Sequence, residues 1–224
     1  MMQRRRKGAL VIVLLLLAIG AGNIYFSFNG NPIKIMETKN KAQDFVARKY
    51  PSVNVIDIDP WYNFKFGSYG AHVLTQNQEP ISFYIEFYKN GYIDDNYMEA
   101  KLEKEATAMI KPIVEEVLPE IETIVTSVHL PEKNDFDEHT VFSKDLSVGI
   151  SLDIRWSEDI SREQFVHRTL EIRDQIKFHD FKVGNYFFCC EINNGKQSYV
   201  LSLEKDILDI TRQELLDSEE INIF

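Results

Sequence analysis

The sequence predicts an α+β protein: an N-terminal transmembrane helix followed by two small subdomains, each a sheet with helices laid on one face. Three observations carry this expectation. Residues 8–28 form an almost unbroken apolar run behind four cations. Beyond it, stretches that alternate apolar and polar residues are interleaved with stretches of helical period. A long helical stretch ending at Leu118-Pro119 then divides the remainder into residues 33–118 and 119–224, two α+β domains.

Residues 1–7 are a basic tip containing Arg4, Arg5, Arg6 and Lys7, with no acidic residue before the run. Of the 21 residues in 8–28, twelve are Leu, Ile, Val or Phe, and only Asn23 and Ser27 are clearly polar. As a helix the run would rise roughly 31 Å, close to the hydrocarbon thickness of a bilayer. Its large apolar residues would favour insertion by about 5 kcal/mol. The polar stripe of a soluble amphipathic helix is missing between Ala9 and Ile19. The positive-inside bias then predicts a single-pass cell-membrane protein, with the bilayer as the partner of residues 8–28, the N-terminus cytoplasmic and the C-terminal domain outside. Residues 18–20 and 20–22 also supply small residues at a signal-cleavage spacing, whereas apolar and aromatic residues continue to Phe28. A retained signal anchor and a secreted protein released by cleavage therefore both stand.

Thr38 is expected to cap a helix running to Tyr50, with Ala42, Phe45 and Val46 on one face and Pro51 ending it. Residues 53–59, 61–66 and 71–76 are predicted strands, the last two joined at Gly67-Ser68-Tyr69-Gly70. Residues 81–88 are the clearest strand: Ile81, Phe83, Ile85 and Phe87 make one wholly apolar face, and Asn90-Gly91 is a turn dipeptide. A long helix is predicted over 95–118, with Leu102, Ala106, Met109, Ile113 and Val117 in a stripe and Pro112 expected to kink or break it. In the second half, strands are predicted over 121–128 and 148–156, with a polar loop at 131–140 between them. Ser161 and Gln164 form a capping-box pattern for a helix to Lys177. Residues 186–193 and 197–203 read as a hairpin across Asn194-Gly195, and a short helix begins at Thr211.

The first half carries a resemblance. A helix ending AQDFVARKYPSVNV runs into WYNFKFGSYGAHV and then EPISFYIEFYKNGYIDDNYMEA, with Asp94-Asp95-Asn96-Tyr97 before a helix. This order and texture resemble the YfjL-like proteins of Gram-positive bacteria. The helix, three strands, helix order is also similar to that of PepSY-type domains. The resemblance implies a second α+β domain after the first and an anchored topology. It carries over no catalytic residue.

Composition excludes more than it names. Setting aside the four N-terminal cations leaves 21 Lys and Arg against 35 Asp and Glu, a net charge of −14. Such acidity argues against nucleic acid as a partner, since phosphates need a basic surface. The two cysteines, Cys189 and Cys190, are neighbours in a predicted strand, so their side chains point to opposite faces and cannot pair. There is no metalloprotease His-Glu-x-x-His, no phosphate-binding loop, no zinc spacing of cysteines and no nucleophile elbow. No catalytic residue and no cofactor are therefore assigned. The one constellation that could hold a divalent cation is His129 with Asp135, Asp137, Glu138 and His139, alternatively a solvated acidic loop.

Aromatic residues are the other feature. Trp61, Tyr62, Phe64, Phe66, Tyr69, Phe83, Tyr84, Phe87, Tyr88 and Tyr92 crowd the first sheet. Alternation sends one set under the helices. The other, expected to include Tyr62, Phe64, Phe66, Tyr84 and Tyr88, packs on the second half or forms a patch for a peptide or protein partner. The expected function is thus a non-enzymatic extracytoplasmic module acting through protein or peptide contacts, the alternatives being a secreted binding protein or an enzyme with a dispersed site.

Overall fold

The computed structural model describes residues 2–76, 80–133, 135–204 and 207–223, excluding the side chains of residues 2–14 and of Ala18. Two compact units result, residues 1–97 and 98–224, each α+β with its own sheet.

The first unit begins with helix α1, Met2–Asn29. Among the described residues no helix is long and apolar enough to cross a membrane, which overturns the transmembrane helix expected over residues 8–28. Side chains are described from Leu15 onward, and from there to Asn29 a helix rises only about 22 Å against the roughly 30 Å of a bilayer core. Gly20, Gly22, Asn23 and Ser27 dilute that stretch further. The more apolar part of the expected span, residues 8–14, lies outside the described side chains.

Helix α2, Pro32–Lys49, starts earlier than Thr38. Asn31 caps it by accepting the Ile33 N–H at 2.9 Å, and Pro32 sits where a missing N–H costs nothing. Thr38 is interior to the helix and buried, its hydroxyl donating to the Lys34 carbonyl at 2.7 Å. Four antiparallel strands follow in spatial order: β1 Val55–Asn63, β2 Ser68–Thr75, β3 Ser82–Phe87 and β4 Ile93–Asp95. The two strands expected at 53–59 and 61–66 are one, β1, which runs straight through Pro60. That residue is tolerated because β1 is an edge strand and one of its N–H rows has no ladder partner to lose. The predicted apolar face of β3 is present, with Ile81, Phe83 and Ile85 buried and Phe87 half-buried. α2 packs on that side, where the Phe45 and Phe87 rings meet edge-on at 6.3 Å.

The Asp-Asp-Asn-Tyr segment closes the unit. Asp95 accepts the Tyr50 hydroxyl and the Lys49 ammonium, both at 2.7 Å. Asn96 accepts the Tyr84 N–H at 2.8 Å, and Tyr97 is buried against Tyr50 and Phe83 with ring centres 4.4 and 5.1 Å away.

From Met98 onward the second unit is opened by α3, Tyr97–Val117, a single helix across Pro112 rather than a broken one. Leu102, Ala106, Ile110 and Val114 are completely buried. Its acids are tied into the same unit: Glu103 accepts the Val128 N–H at 3.2 Å and Glu105 the Phe142 N–H at 2.7 Å. Burial holds the Glu103 carboxyl above the usual carboxylate range. The second sheet has the order β5 Thr123–His129, β6 Gly149–Ser157, β7 Val183–Ile192, β8 Gln197–Leu203 and β9 Asn222–Ile223. β6 and β7 are parallel, joined by α4, Arg162–Phe178, so the unit contains a β-α-β crossover among otherwise antiparallel pairs. The capping box of Ser161 and Gln164 is formed, as is a second one of Thr211 and Glu214 ahead of α5, Arg212–Asp217. The core is the alternating face of β6, namely Ile150, Leu152, Ile154 and Trp156, closed by Phe165, Ile172 and Ile176 of α4. The Trp156 indole stacks on Phe165 at 5.6 Å. At the β7–β8 turn Asn193, Asn194 and Gly195 all have positive φ, the conformation Asn and Gly adopt most readily.

Both cysteines are free, Cys190 fully buried and Cys189 half-buried on the other face of β7. Burial pushes the Cys190 thiol up to about 12, and raises that of Cys189 as well. Since the thiolate is the reactive form, a thiol-specific disulfide reagent near about pH 8 should leave Cys190 unmodified in the native protein and label it once the chain is unfolded. Prompt labelling of both thiols in the native state would contradict the burial described.

Candidate functional site

Strand register decides what stands on the face of the first sheet opposite α2. Direct cross-strand partners share a face, and one row reads Trp61, Gly70, Glu86 and Asp94. The next row on that face reads Asp59, His72 and Tyr84, and Asn63 with Ser68 continues it in the other direction. The expected composition of this face needs correcting. Tyr62 belongs to the α2 side, paired with Tyr69 and Phe87, because the unbroken β1 sets the parity so that Trp61 faces away. Phe64 and Phe66 lie in the β1–β2 turn, 54% and 67% exposed, rather than within a strand.

The Trp61 ring lies over Gly70. A Cβ at position 70 would stand 2.3 Å from the Trp61 Cζ2, so only a residue without a side chain lets the indole cross the neighbouring strand there. His72 sits beside the indole at 6.0 Å between ring centres. The indole Nε1 is buried and, among the described residues, has no acceptor.

Next to this ring is a carboxylate set into the sheet. Glu86 is buried, and its oxygens accept from the Ser68 hydroxyl, the Asn63 amide at 3.4 Å and the Tyr88 hydroxyl at 2.8 Å. Hydrogen bonds from neutral donors offset the cost of taking the carboxylate out of bulk water. The bond to Glu86 also raises the Tyr88 phenol above its ordinary value, since ionisation would forfeit it. One row further, the Tyr84 hydroxyl donates to Asp94 at 3.1 Å. The face therefore carries Asp59, Glu86 and Asp94 around Trp61, Tyr84 and Tyr88, and no Lys or Arg stands among the residues of these rows.

The cation constellation expected from the sequence is not drawn together. His129 is exposed at the end of β5 with Nε2 3.3 Å from the Ser151 hydroxyl. Asp137 uses one oxygen to accept the His139 N–H, the Thr140 N–H and the Thr140 hydroxyl, at 3.0, 3.0 and 3.1 Å. The first of these bonds holds its carboxyl below the usual range. His139 faces Glu138 at 3.9 Å, and Asp135 is exposed. Among the described residues no group of three or more His, Cys, Asp or Glu could hold a metal ion. Asp137 shapes a turn.

Both units match one family. Residues 5–101 match the YfjL-like N-terminal domain and residues 105–218 the YfjL-like C-terminal domain. The chain belongs to the YfjL-like family. No curated protein and no solved structure matches it. The Trp61 face lies wholly within the YfjL-like N-terminal domain.

Glu86 and His72 are site residues that the sequence reading passed over, and Gly70, read there as part of a connection between strands, lies within β2. The available signals were an acid inside an aromatic strand and a glycine inside another, each of which marks a special position. Gly70→Ala should displace the indole and press on the Ile85 carbonyl, 2.6 Å from the added Cβ, at a cost of about 1–3 kcal/mol, the usual penalty for forcing atoms into a filled space. Chemical denaturation measures the cost, and Trp61 emission in a Trp156→Phe background reports the displacement. Unaltered emission together with unaltered stability would show that the ring does not rest there.

Proposed function

We propose that this YfjL-like chain is a non-enzymatic recognition module that takes a basic peptide segment of a protein partner on the Trp61 face. The observation that carries the reading is the indole laid over Gly70 with the carboxylates of Asp59 and Asp94 on the same face. An aromatic face attracts a cation through its quadrupole, and adjacent carboxylates add charge-assisted hydrogen bonds. A lysine or arginine side chain fits both. The overall charge of −10 supports the same choice, because an acidic surface speeds encounter with a basic partner. Ser68, which donates to Glu86 as a nucleophile would to a base, is 1% exposed and beyond a substrate's reach. This favours binding over catalysis.

Titrating the full-length Trp156→Phe chain with an arginine-rich peptide should change Trp61 emission saturably, in roughly the micromolar to millimolar range expected of a few exposed contacts. Asp59→Asn with Asp94→Asn, or a salt concentration of about 0.5 M, should weaken binding severalfold. An acidic peptide of equal length acting as well as the basic one would defeat the reading.

The place of action is a separate proposal. Arg4, Arg5, Arg6 and Lys7 ahead of an apolar run support export of the folded units from the cytosol, as do the small residues at 18–22. Protease added to intact cells should then degrade the C-terminal unit. Its full protection, with digestion only after lysis, would place it inside.

A further inference from the structure

On the α2 side of the first sheet, a groove of about 220 Å³ opens between α2 and the end of β3. Lys34 and Lys41, two helical turns apart, line one wall, and Lys89 faces them from just beyond β3. Lys89 reaches back over the turn before β2: a Cβ on Gly67 would stand 2.6 Å from its Nζ, and Gly67 holds φ +61. Tyr69 and Phe87 supply aromatic rings to the lining. The Tyr69 hydroxyl accepts the Asn31 N–H at 3.1 Å, a bond that does not use its own proton. Among the described residues, none of the three lysines has a carboxylate within ion-pair distance. Three cations and one acid, Glu37, line this groove, so in a chain with ten more acids than bases its local charge is positive and favours an anion.

The geometry points to a binding site for a small carboxylate with an apolar body, its charge among Lys34, Lys41 and Lys89 and its hydrocarbon against Tyr69 and Phe87. Glu37, on the same wall, repels a second negative charge and so selects a singly charged carboxylate over a phosphate dianion. The volume lies below the usual range for drug-sized ligands, roughly 300–1,000 Å³, which limits the occupant to a compact acid such as an aryl- or alkylcarboxylate. Tyr88, whose hydroxyl donates to Glu86 on the Trp61 face, also lines the groove. The lysines and the Tyr69 and Phe87 rings that carry the assignment are separate from Trp61, and the assignment does not rest on the peptide reading.

The test titrates the full-length chain with phenylacetate and, separately, with inorganic phosphate, following ligand resonances by NMR. Phenylacetate should saturate with a Kd of about 1 mM, and phosphate should bind at least about tenfold more weakly. The variant Lys34→Ala/Lys41→Ala/Lys89→Ala, all exposed positions whose loss leaves the core intact, should weaken phenylacetate by about tenfold. The variant Lys133→Ala/Lys182→Ala/Lys196→Ala removes the same charge from the other unit and should bind as the parent does. Three outcomes each overturn the assignment: no saturation up to about 20 mM phenylacetate, phosphate binding as tightly as phenylacetate, or equal losses in the two triple variants.

Discussion

The first unit depends on one short knot of polar bonds, at Asp94 to Tyr97. Asp95 takes a phenol and an ammonium from the end of α2, Asn96 takes a backbone N–H of β3, and Tyr97 fills the space between Tyr50 and Phe83. A helix end, a central strand and an edge strand are thereby joined within four residues. The carboxylate of Asp95 is 4% exposed, so its bonds act in a medium that screens them far less than water does. Asp94, one residue earlier, points to the other face and receives Tyr84. The same segment therefore closes the core on one side and contributes Asp94 to the Trp61 face on the other.

That face exists because strands alternate. Each apolar residue sent under α2 obliges its neighbours to point away, and here the neighbours are aromatic and acidic. A sheet face of this kind would ordinarily be a loose set of solvated side chains. Two devices organise it. Gly70 removes the side chain that would keep Trp61 off the sheet, and Glu86 draws Asn63, Ser68 and Tyr88 into one hydrogen-bonded group. Preorganised side chains lose less entropy on binding, which is why a partner would gain more from them than from the same residues on a mobile loop.

The second unit is held differently. Its sheet is laid around a parallel pair, and a parallel pair needs a covering helix; α4 provides it with Phe165, Ile172 and Ile176. Arg173, on the same helix and buried, donates to the carbonyls of Leu208 and Ile210 at 3.0 and 2.9 Å, fastening the C-terminal segment to it. These bonds satisfy carbonyls outside any ladder, so a charged side chain serves here as a structural clamp.

The sequence by itself determined what local period and local chemistry specify: the apolar face of β3, the alternation of β6, the capping box of Ser161 and Gln164, the helix start at Thr211, the Asn-Gly turn of the second hairpin and the separation of Cys189 from Cys190. Each is decided within a few residues by pleat, pitch or cap geometry. The strands read at 53–59 and 61–66 are one because an edge strand tolerates Pro60 between them, and edge position is a property of the whole sheet. Asp135, Asp137 and His139 would share a face only in an extended chain, and of the two readings the sequence left open, a turn is what Asp137 forms with Thr140. Only the tertiary structure decided that Trp61 rather than Tyr62 faces away from α2, that Glu86 meets Ser68 and Asn63, that Lys89 comes round to Lys34 and Lys41, and that β6 and β7 run parallel. All four depend on register or on contacts between distant segments, where shifting a strand by one residue reverses every face and leaves the sequence pattern unchanged.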